Sequence, residues 1–295
     1  MQHTYEIEIK SLLGGKDKAD DLVNRMKQKD PNLKVLGSHR QLNHYFAPVT
    51  YGTGQVGGDL KSLYEKVQNL LDDASRSKLK DLAERAKAKS RTGAQATGTG
   101  NFSVRTRETD GKTAPHTGAQ ATGVGVILVV KATVDDTTSS NGTARLEWES
   151  VLFPSPGYGE GLREGLIRNI DDLDKLVLSS GFQYQAKWSR ERSEYKYTPL
   201  PFLSPSPLRG EGGGEGEQLK LMVAIDKNAG YGYLAEFEMV VDDEKKADDA
   251  KNLIRTVMGG LKIDELPQDR LERMFKFYNE NWKDYYGTEK TFTVE

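Results

Sequence analysis

Three stretches of the chain place two carboxylates two residues apart: Glu6 and Glu8, Glu147 and Glu149, Glu236 and Glu238. Basic residues recur at the same spacing, in Arg105 and Arg107 and in Arg190 and Arg192. Lys10 follows Glu8 by two, Arg145 precedes Glu147 by two, and Lys131 ends an apolar run. In an extended strand, residues two apart share a face. Two carboxylates on one face repel each other, and a divalent cation turns that repulsion into a ligand set. A planar guanidinium matches phosphate oxygens two at a time, which suits Arg107, Arg190 and Arg192 to holding phosphate. The chemistry these residues suggest is a metal ion plus a polyphosphate.

Any one such strand taken alone reads as a solvated sheet face. Recurrence argues otherwise, because an exposed strand gains nothing from carboxylate pairs placed this way. The intervening positions are apolar: Ile7 and Ile9 beside the first pair, Leu146 and Trp148 beside the second, with Phe237 and Leu234 assigned opposite the third. If those apolar faces point outward under helices, the charged faces point inward. A closed antiparallel barrel achieves this without exposed edges.

Eight stretches read as strands by alternation or by β-branched and aromatic content, near 3–12, 34–47, 100–108, 125–134, 143–152, 182–197, 218–227 and 232–242. Amphipathic patterns predict helices near 16–29, 161–179, 245–258 and 268–286, and a further helical stretch from about Leu60 to Ala88. The expected fold is α+β, a closed eight-stranded antiparallel β-barrel with flanking helices. A tunnel domain spans 1–250, interrupted by a helical insertion at 51–98 and a flexible linker at 199–218, and a helical extension at 251–295 packs on the barrel. The heptapeptide Thr-Gly-Ala-Gln-Ala-Thr-Gly occurs at 92–98 and again at 117–123, where loops are expected.

Composition narrows the chemistry. The 295 residues carry 42 Lys and Arg against 44 Asp and Glu, without the basic excess of a nucleic-acid or membrane coat. There is no cysteine, and His3, His39, His44 and His116 include no pair at helical ligand spacing. A metal would be held by carboxylates, favouring Mg2+, Mn2+ or Ca2+ over zinc. The N-terminal residues show no basic-then-apolar segment, and no apolar run approaches the roughly 20 residues of a membrane span. The expectation is a cytoplasmic protein, monomer or homodimer, that binds neither nucleic acid nor membrane.

Glu6-Ile7-Glu8-Ile9-Lys10 resembles the ExExK signature of the CYTH, or triphosphate tunnel metalloenzyme, superfamily. Further stretches resemble that family in order: Gln41 to Phe46, Val104 to Arg107 with Asp110-Gly111, Val130-Lys131, Arg145-Leu146-Glu147, Arg190 to Tyr195, and Ile225-Asp226 with Gly230, Gly232 and Ala235 to Glu238. Two departures are Ala47, where many members are acidic, and Arg190, where Lys is common.

The resemblance implies a tunnel that binds a triphosphate with Mg2+ or Mn2+. Glu6, Glu8, Glu236 and Glu238 would surround the metal, and Glu147 or Glu149 would hold a second metal or the nucleophile. Lys10, Arg105, Arg107, Lys131, Arg145, Arg190 and Arg192 would hold phosphates, with Lys10, Glu147 and Glu149 the catalytic candidates. The family includes triphosphatases and class IV adenylyl cyclases. Hydrolysis of an inorganic or organic triphosphate is the first reading, cyclisation of ATP the second, and a non-catalytic polyphosphate binder the third. Gly52 to Gly57 matches G-x-G-x-x-G, but no second parallel strand ending in an acidic residue follows it, so a dinucleotide fold is set aside.

Overall fold

In a computed structural model, the structure describes residues 5–49, 57–90, 102–110, 125–133, 144–153, 167–198 and 221–294; the side chains of 85–90, 132–133, 144–146 and 153 are outside that set. Eight strands are present: β1 (Tyr5–Gly14), β2 (Lys34–Pro48), β3 (Phe102–Asp110), β4 (Gly125–Thr133), β5 (Ala144–Phe153), β6 (Phe182–Tyr197), β7 (Leu221–Asn228) and β8 (Gly232–Val241). The helices are α1 (Lys16–Lys29), α2 (Leu60–Val67), α3 (Asp73–Ser90), α4 (Ile170–Ser179), α5 (Ala247–Gly260) and α6 (Gln268–Tyr285). The fold is an eight-stranded antiparallel sheet with six flanking helices among the described residues, of the α+β class.

The chain divides into two compact units. The first comprises Met1–His39, Thr137–Leu146 and Arg190–Glu295; the second comprises Arg40–Asp136 and Glu147–Ser189. In the first unit the antiparallel pairings run β5–β1–β8–β7–β6. One face of this sheet is apolar: Ile7, Ile9, Val223, Ala235 and Phe237 are fully buried there. They pack with Leu22 and Met26 of α1 and with Ala250, Ile254 and Met258 of α5. Full burial of each large side chain contributes about 1.5–3 kcal/mol, so this layer is the main source of cohesion in the unit.

Helix α1 carries Asp17 in its first turn and Lys27 and Lys29 in its last, in line with its dipole. It ends at Asp30, just before Pro31, and the buried Asp30 carboxylate accepts from the Asn32 and Thr198 amides at 2.9 and 2.8 Å. The 251–295 segment lies in the same unit. Gly230, at φ +88°, forms a short pairing with it: the Gly230 amide donates to Lys290 O and the Phe292 amide to Gly230 O, both at 2.8 Å. A Cβ on Gly230 would come within 2.8 Å of the Tyr278 ring of α6, so glycine is required there for closeness as well as for its backbone angle.

In the second unit, β2–β3–β4 pair in antiparallel register, with α4 against β3 and β4. Two helix expectations are corrected. The stretch from Leu60 to Ala88 is two helices, because Asp72 caps a new one, its carboxylate accepting from the Ser75 amide at 2.8 Å. The helix expected from 161 starts at Ile170, where Asn169 is the N-cap and accepts from the Asp172 amide at 3.0 Å; residues 167–169 are not helical and 161–166 lie outside the described residues. Leu234 is also corrected. It stands opposite Asp226 and Leu12 in register, on the charged face rather than the apolar one. The repeated heptapeptide, the G-x-G-x-x-G stretch up to residue 56 and the 199–218 tract lie outside the described residues.

Candidate functional site

Register fixes which side chains share a face in the first unit. Glu8 stands opposite Glu238, Lys10 opposite Glu236, and Glu6 opposite Val240 on β8 and Arg145 on β5. Directly opposed residues of an antiparallel pair project to the same side. Glu236 is matched to Ala224 and Glu238 to Met222 on β7, and Asp226, Ala224 and Met222 are matched to Arg192, Glu194 and Lys196 on β6. Among the described side chains one face therefore carries six carboxylates (Glu6, Glu8, Glu194, Asp226, Glu236, Glu238) and four cations (Lys10, Arg190, Arg192, Lys196). It is not a solvated wall. The side chains of Arg192 and Glu236 are 9% and 12% exposed, and that of Asp226 is 0% exposed.

The ion pairs on this face are close. Arg192 meets Asp226 edge-on, with Nε to Oδ1 and Nη2 to Oδ2 both at 2.8 Å. Its Nη2 also donates to Glu236, and Arg190 Nη1 reaches Asp226 Oδ2 at 2.7 Å. Lys10 Nζ contacts Glu8 and lies 3.1 Å from Glu236 Oε1. Burial works against the charge on Glu236, yet Lys10, Arg192 and Arg190 outweigh it and hold the carboxyl well below the usual range. Burial likewise opposes charge on Arg192, and Asp226 and Glu236 outweigh it, raising the guanidinium well above its ordinary value. His39 is buried on the same unit, its Nδ1 3.9 Å from Glu194 Oε2.

The second unit carries a differently balanced face. Asn43 and Tyr45 on β2 stand opposite Arg107 and Arg105 on β3, and Ser103 stands opposite Lys131 on β4. Arg105 Nη1 donates to the Tyr45 hydroxyl at 2.9 Å, and Arg107 Nε to Asn43 Oδ1 at 3.1 Å. Lys131 Nζ is 2.9 Å from Glu147 Oε2, while Arg105 and Arg107 stand 3.7 and 3.8 Å from Glu147 and Glu149. The arginines here hydrogen-bond to neutral groups and meet their carboxylates at longer range, whereas Arg190 and Arg192 hydrogen-bond to a buried aspartate. Among the described side chains three cations face two carboxylates here, a basic balance, against an acidic one on the face in the first unit.

On the opposite side of β2 and β3, α4 contributes Asp174 to a buried network. His44 Nδ1 and Asp174 Oδ2 are 2.6 Å apart, and the Thr106 and Tyr184 hydroxyls each donate to Asp174 at 2.6 Å. This network ties α4 to the sheet. It lies away from the charged face.

The structure thus gathers Glu6, Glu8, Lys10, Arg190, Arg192, Glu236 and Glu238 on the face in the first unit, and Arg105, Arg107, Lys131, Glu147 and Glu149 in the second. The backbone of Arg145 pairs with Glu6, and its side chain is outside the described set. Sequence reasoning missed Asp226, Glu194, His39, Asn43 and Tyr45 as members of these faces. Among the described residues no three His, Asp or Glu side chains converge closely enough to hold a metal ion as they stand. The donor chemistry nevertheless fits Mg2+ or Mn2+. Glu8 and Glu238 are directly opposed, Glu6 and Glu236 are one step away on the same face, and the cation between Glu8 and Glu236 is the Lys10 ammonium.

No family model matches the chain, and no curated protein matches it. Solved structures similar to it include a protein of Pyrococcus horikoshii OT3, with a TM-score of 0.48 and 13% identity over 91% of this chain and 99% of that one. Another is a candidate adenylate cyclase from Vibrio parahaemolyticus, with a TM-score of 0.47 and 12% identity over 93% of this chain and 99% of that one. A candidate adenylate cyclase from Bacillus halodurans has a TM-score of 0.38 and 15% identity over 92% of this chain and 98% of that one. Among the described residues no helix is long and apolar enough to cross a membrane.

Proposed function

We propose that the chain is a triphosphate tunnel metalloenzyme of the CYTH type, a closed eight-stranded barrel that hydrolyses a triphosphate with Mg2+ or Mn2+. The observation that carries the reading is the division of charge: an acidic, largely buried face bearing Glu6, Glu8, Glu236 and Glu238, and a basic one bearing Arg105, Arg107 and Lys131. A polyphosphate with divalent cations needs both kinds of wall, and a protein that binds only anions has no use for the first.

Within this proposal the residues divide the work. Arg105 and Arg107, oriented by Tyr45 and Asn43, bind equatorial phosphate oxygens, as does Lys131, and Arg145 is a further phosphate ligand. Arg190 and Arg192 fix Asp226 and Glu236 and lend the phosphate chain whatever donors those carboxylates leave. Glu6, Glu8, Glu236 and Glu238 hold the divalent cation. Glu147 and Glu149 orient the attacking water, or serve a second cation, and Lys10 is the cation nearest the first site. The bound cation supplies charge neutralisation along the phosphate chain and lowers the pKa of water.

Cyclisation of ATP is the second reading. It uses the same residues with a ribose hydroxyl in place of water as nucleophile, attack at the α-phosphorus and pyrophosphate as the leaving group. Incubation with Mg2+ or Mn2+ and either inorganic triphosphate or ATP, followed by product identification, separates the two. Phosphate from triphosphate supports hydrolysis, cyclic AMP with pyrophosphate supports cyclisation, and neither product contradicts an enzymatic role.

A further inference from the structure

The first unit's acidic face already contains a cation where two carboxylates meet. The Lys10 ammonium contacts Glu8 and sits 3.1 Å from Glu236 Oε1, and its side chain is 14% exposed. Lys10 and Glu236 are directly opposed across β1 and β8, so the ammonium is held between the two strands that also present Glu6 and Glu238. Its backbone is pinned, because the Leu266 amide donates to Lys10 O at 2.8 Å. Its side chain is a flexible stem ending in a point charge, and a better acceptor can draw that charge away. Arg192 differs. Its guanidinium is locked in a two-point contact with the fully buried Asp226 and has no comparable freedom.

We propose that Lys10 is a displaceable internal counter-ion, occupying the place a divalent cation takes between Glu8 and Glu236, and that a phosphate chain draws it off. Metal and polyphosphate then bind with mutual reinforcement. The inference rests on the triphosphate–metal reading above and adds an order to it: the cation site is weak until phosphate arrives. Coupling of this kind is reciprocal, so the cation tightens phosphate binding by the same factor. It also guards the acidic face. Glu8 and Glu236 stay neutralised in the free protein, avoiding the cost of unpaired buried carboxylates.

The test uses the full chain in phosphate-free buffer with Mn2+ as the probe, its free concentration read by electron paramagnetic resonance. Lys10→Met removes the internal cation and is expected to bind Mn2+ about 10-fold tighter or more, within the usual range of such couplings. Lys10→Arg keeps a cation in place and is expected to bind like the wild type, which controls for damage to the fold. Sulfate, a poor chelator of Mn2+, is expected to tighten Mn2+ binding in the wild type and not in Lys10→Met. Equal Mn2+ affinity in Lys10→Met and wild type overturns the counter-ion role; if Glu8→Gln then abolishes that binding, the metal reading survives. A wild type indifferent to sulfate overturns the coupling. No Mn2+ binding in either protein overturns both readings.

Discussion

Arg192 and Asp226 form a buried two-point ion pair, Nε to Oδ1 and Nη2 to Oδ2 at 2.8 Å each. Asp226 is the hub of the acidic face, since it also holds Arg190 at 2.7 Å, while Arg192 reaches on to Glu236. Removing one partner leaves an uncompensated buried charge, which costs about 3–5 kcal/mol. Asp226→Ala is expected to lose stability of that order in urea unfolding. In a double-mutant cycle with Arg192→Ala, the coupling should be clearly favourable, of order 0.5–3 kcal/mol. Additive single losses would mean that the pair is not coupled in solution.

Acid should unpick the same cluster in a predictable direction. Glu236 is held well below its ordinary 4.5, despite burial, by Lys10, Arg192 and Arg190. A depressed folded-state value gives stability that is fully present above the unfolded value and is lost as pH falls through the folded one. The stability difference between the wild type and Glu236→Gln should therefore be constant near neutrality and shrink as pH drops below 4.5. Chemical unfolding of both proteins across that range checks it. A difference that stays flat down to pH of about 3 contradicts the assigned pairing.

The α4 network makes a separate prediction for the second unit. Asp174 accepts from Thr106 and Tyr184 and pairs with His44, all at 2.6 Å and all buried or partly buried. Asp174→Ala strands three polar groups, each costing about 1–3 kcal/mol when unsatisfied. Asp174→Asn, which keeps an acceptor oxygen, should be the milder change. Thermal unfolding of the two variants ranks them, and equal losses would contradict the network.

Arg105 and Arg107 are expected to bind phosphate more directly than Arg190 and Arg192, because their hydrogen bonds go to Tyr45 and Asn43 and their carboxylate contacts, at 3.7 and 3.8 Å, are longer than those of Arg190 and Arg192 with Asp226. A hydrogen bond to a charged group is worth about 1.5–3 kcal/mol, or roughly 10- to 150-fold in affinity. Metal-free calorimetry with inorganic triphosphate should show losses of that size in Arg105→Ala and Arg107→Ala. Unchanged affinity in both would remove them from the phosphate wall.

Much of this was visible in the chain itself, and for one reason. The charged face has a period of two, as a strand does, so Glu6-Glu8-Lys10 and Glu236-Glu238 announce their shared side without any tertiary information. Strand limits were close as well: the fourth strand, read as 125–134 from its β-branched apolar run, is Gly125–Thr133. What was hidden depends on register between strands distant in sequence. Asp226 lies in the run Met222 to Lys227 with no charged partner two residues away, and only its match to Arg192 reveals its role. His39 and Glu194 meet across 155 residues of chain, as do Ser38 and Ser193. The break between α2 and α3 was legible in principle, because Asp72 precedes Ser75 at capping distance, but the apolar periodicity through Leu71 masked it.

Under the proposed function, attack on the triphosphate depends on a divalent cation that Glu6, Glu8, Glu236 and Glu238 would hold. Its most direct test follows inorganic triphosphate with Mg2+ by phosphorus NMR, comparing the wild type with Glu8→Gln. The wild type should convert triphosphate to phosphate and pyrophosphate only when Mg2+ is present, and Glu8→Gln should be slower by about 100-fold or more, as for loss of a group engaged in the transition state. Equal turnover by the two proteins, or turnover undiminished by a chelator, would contradict it.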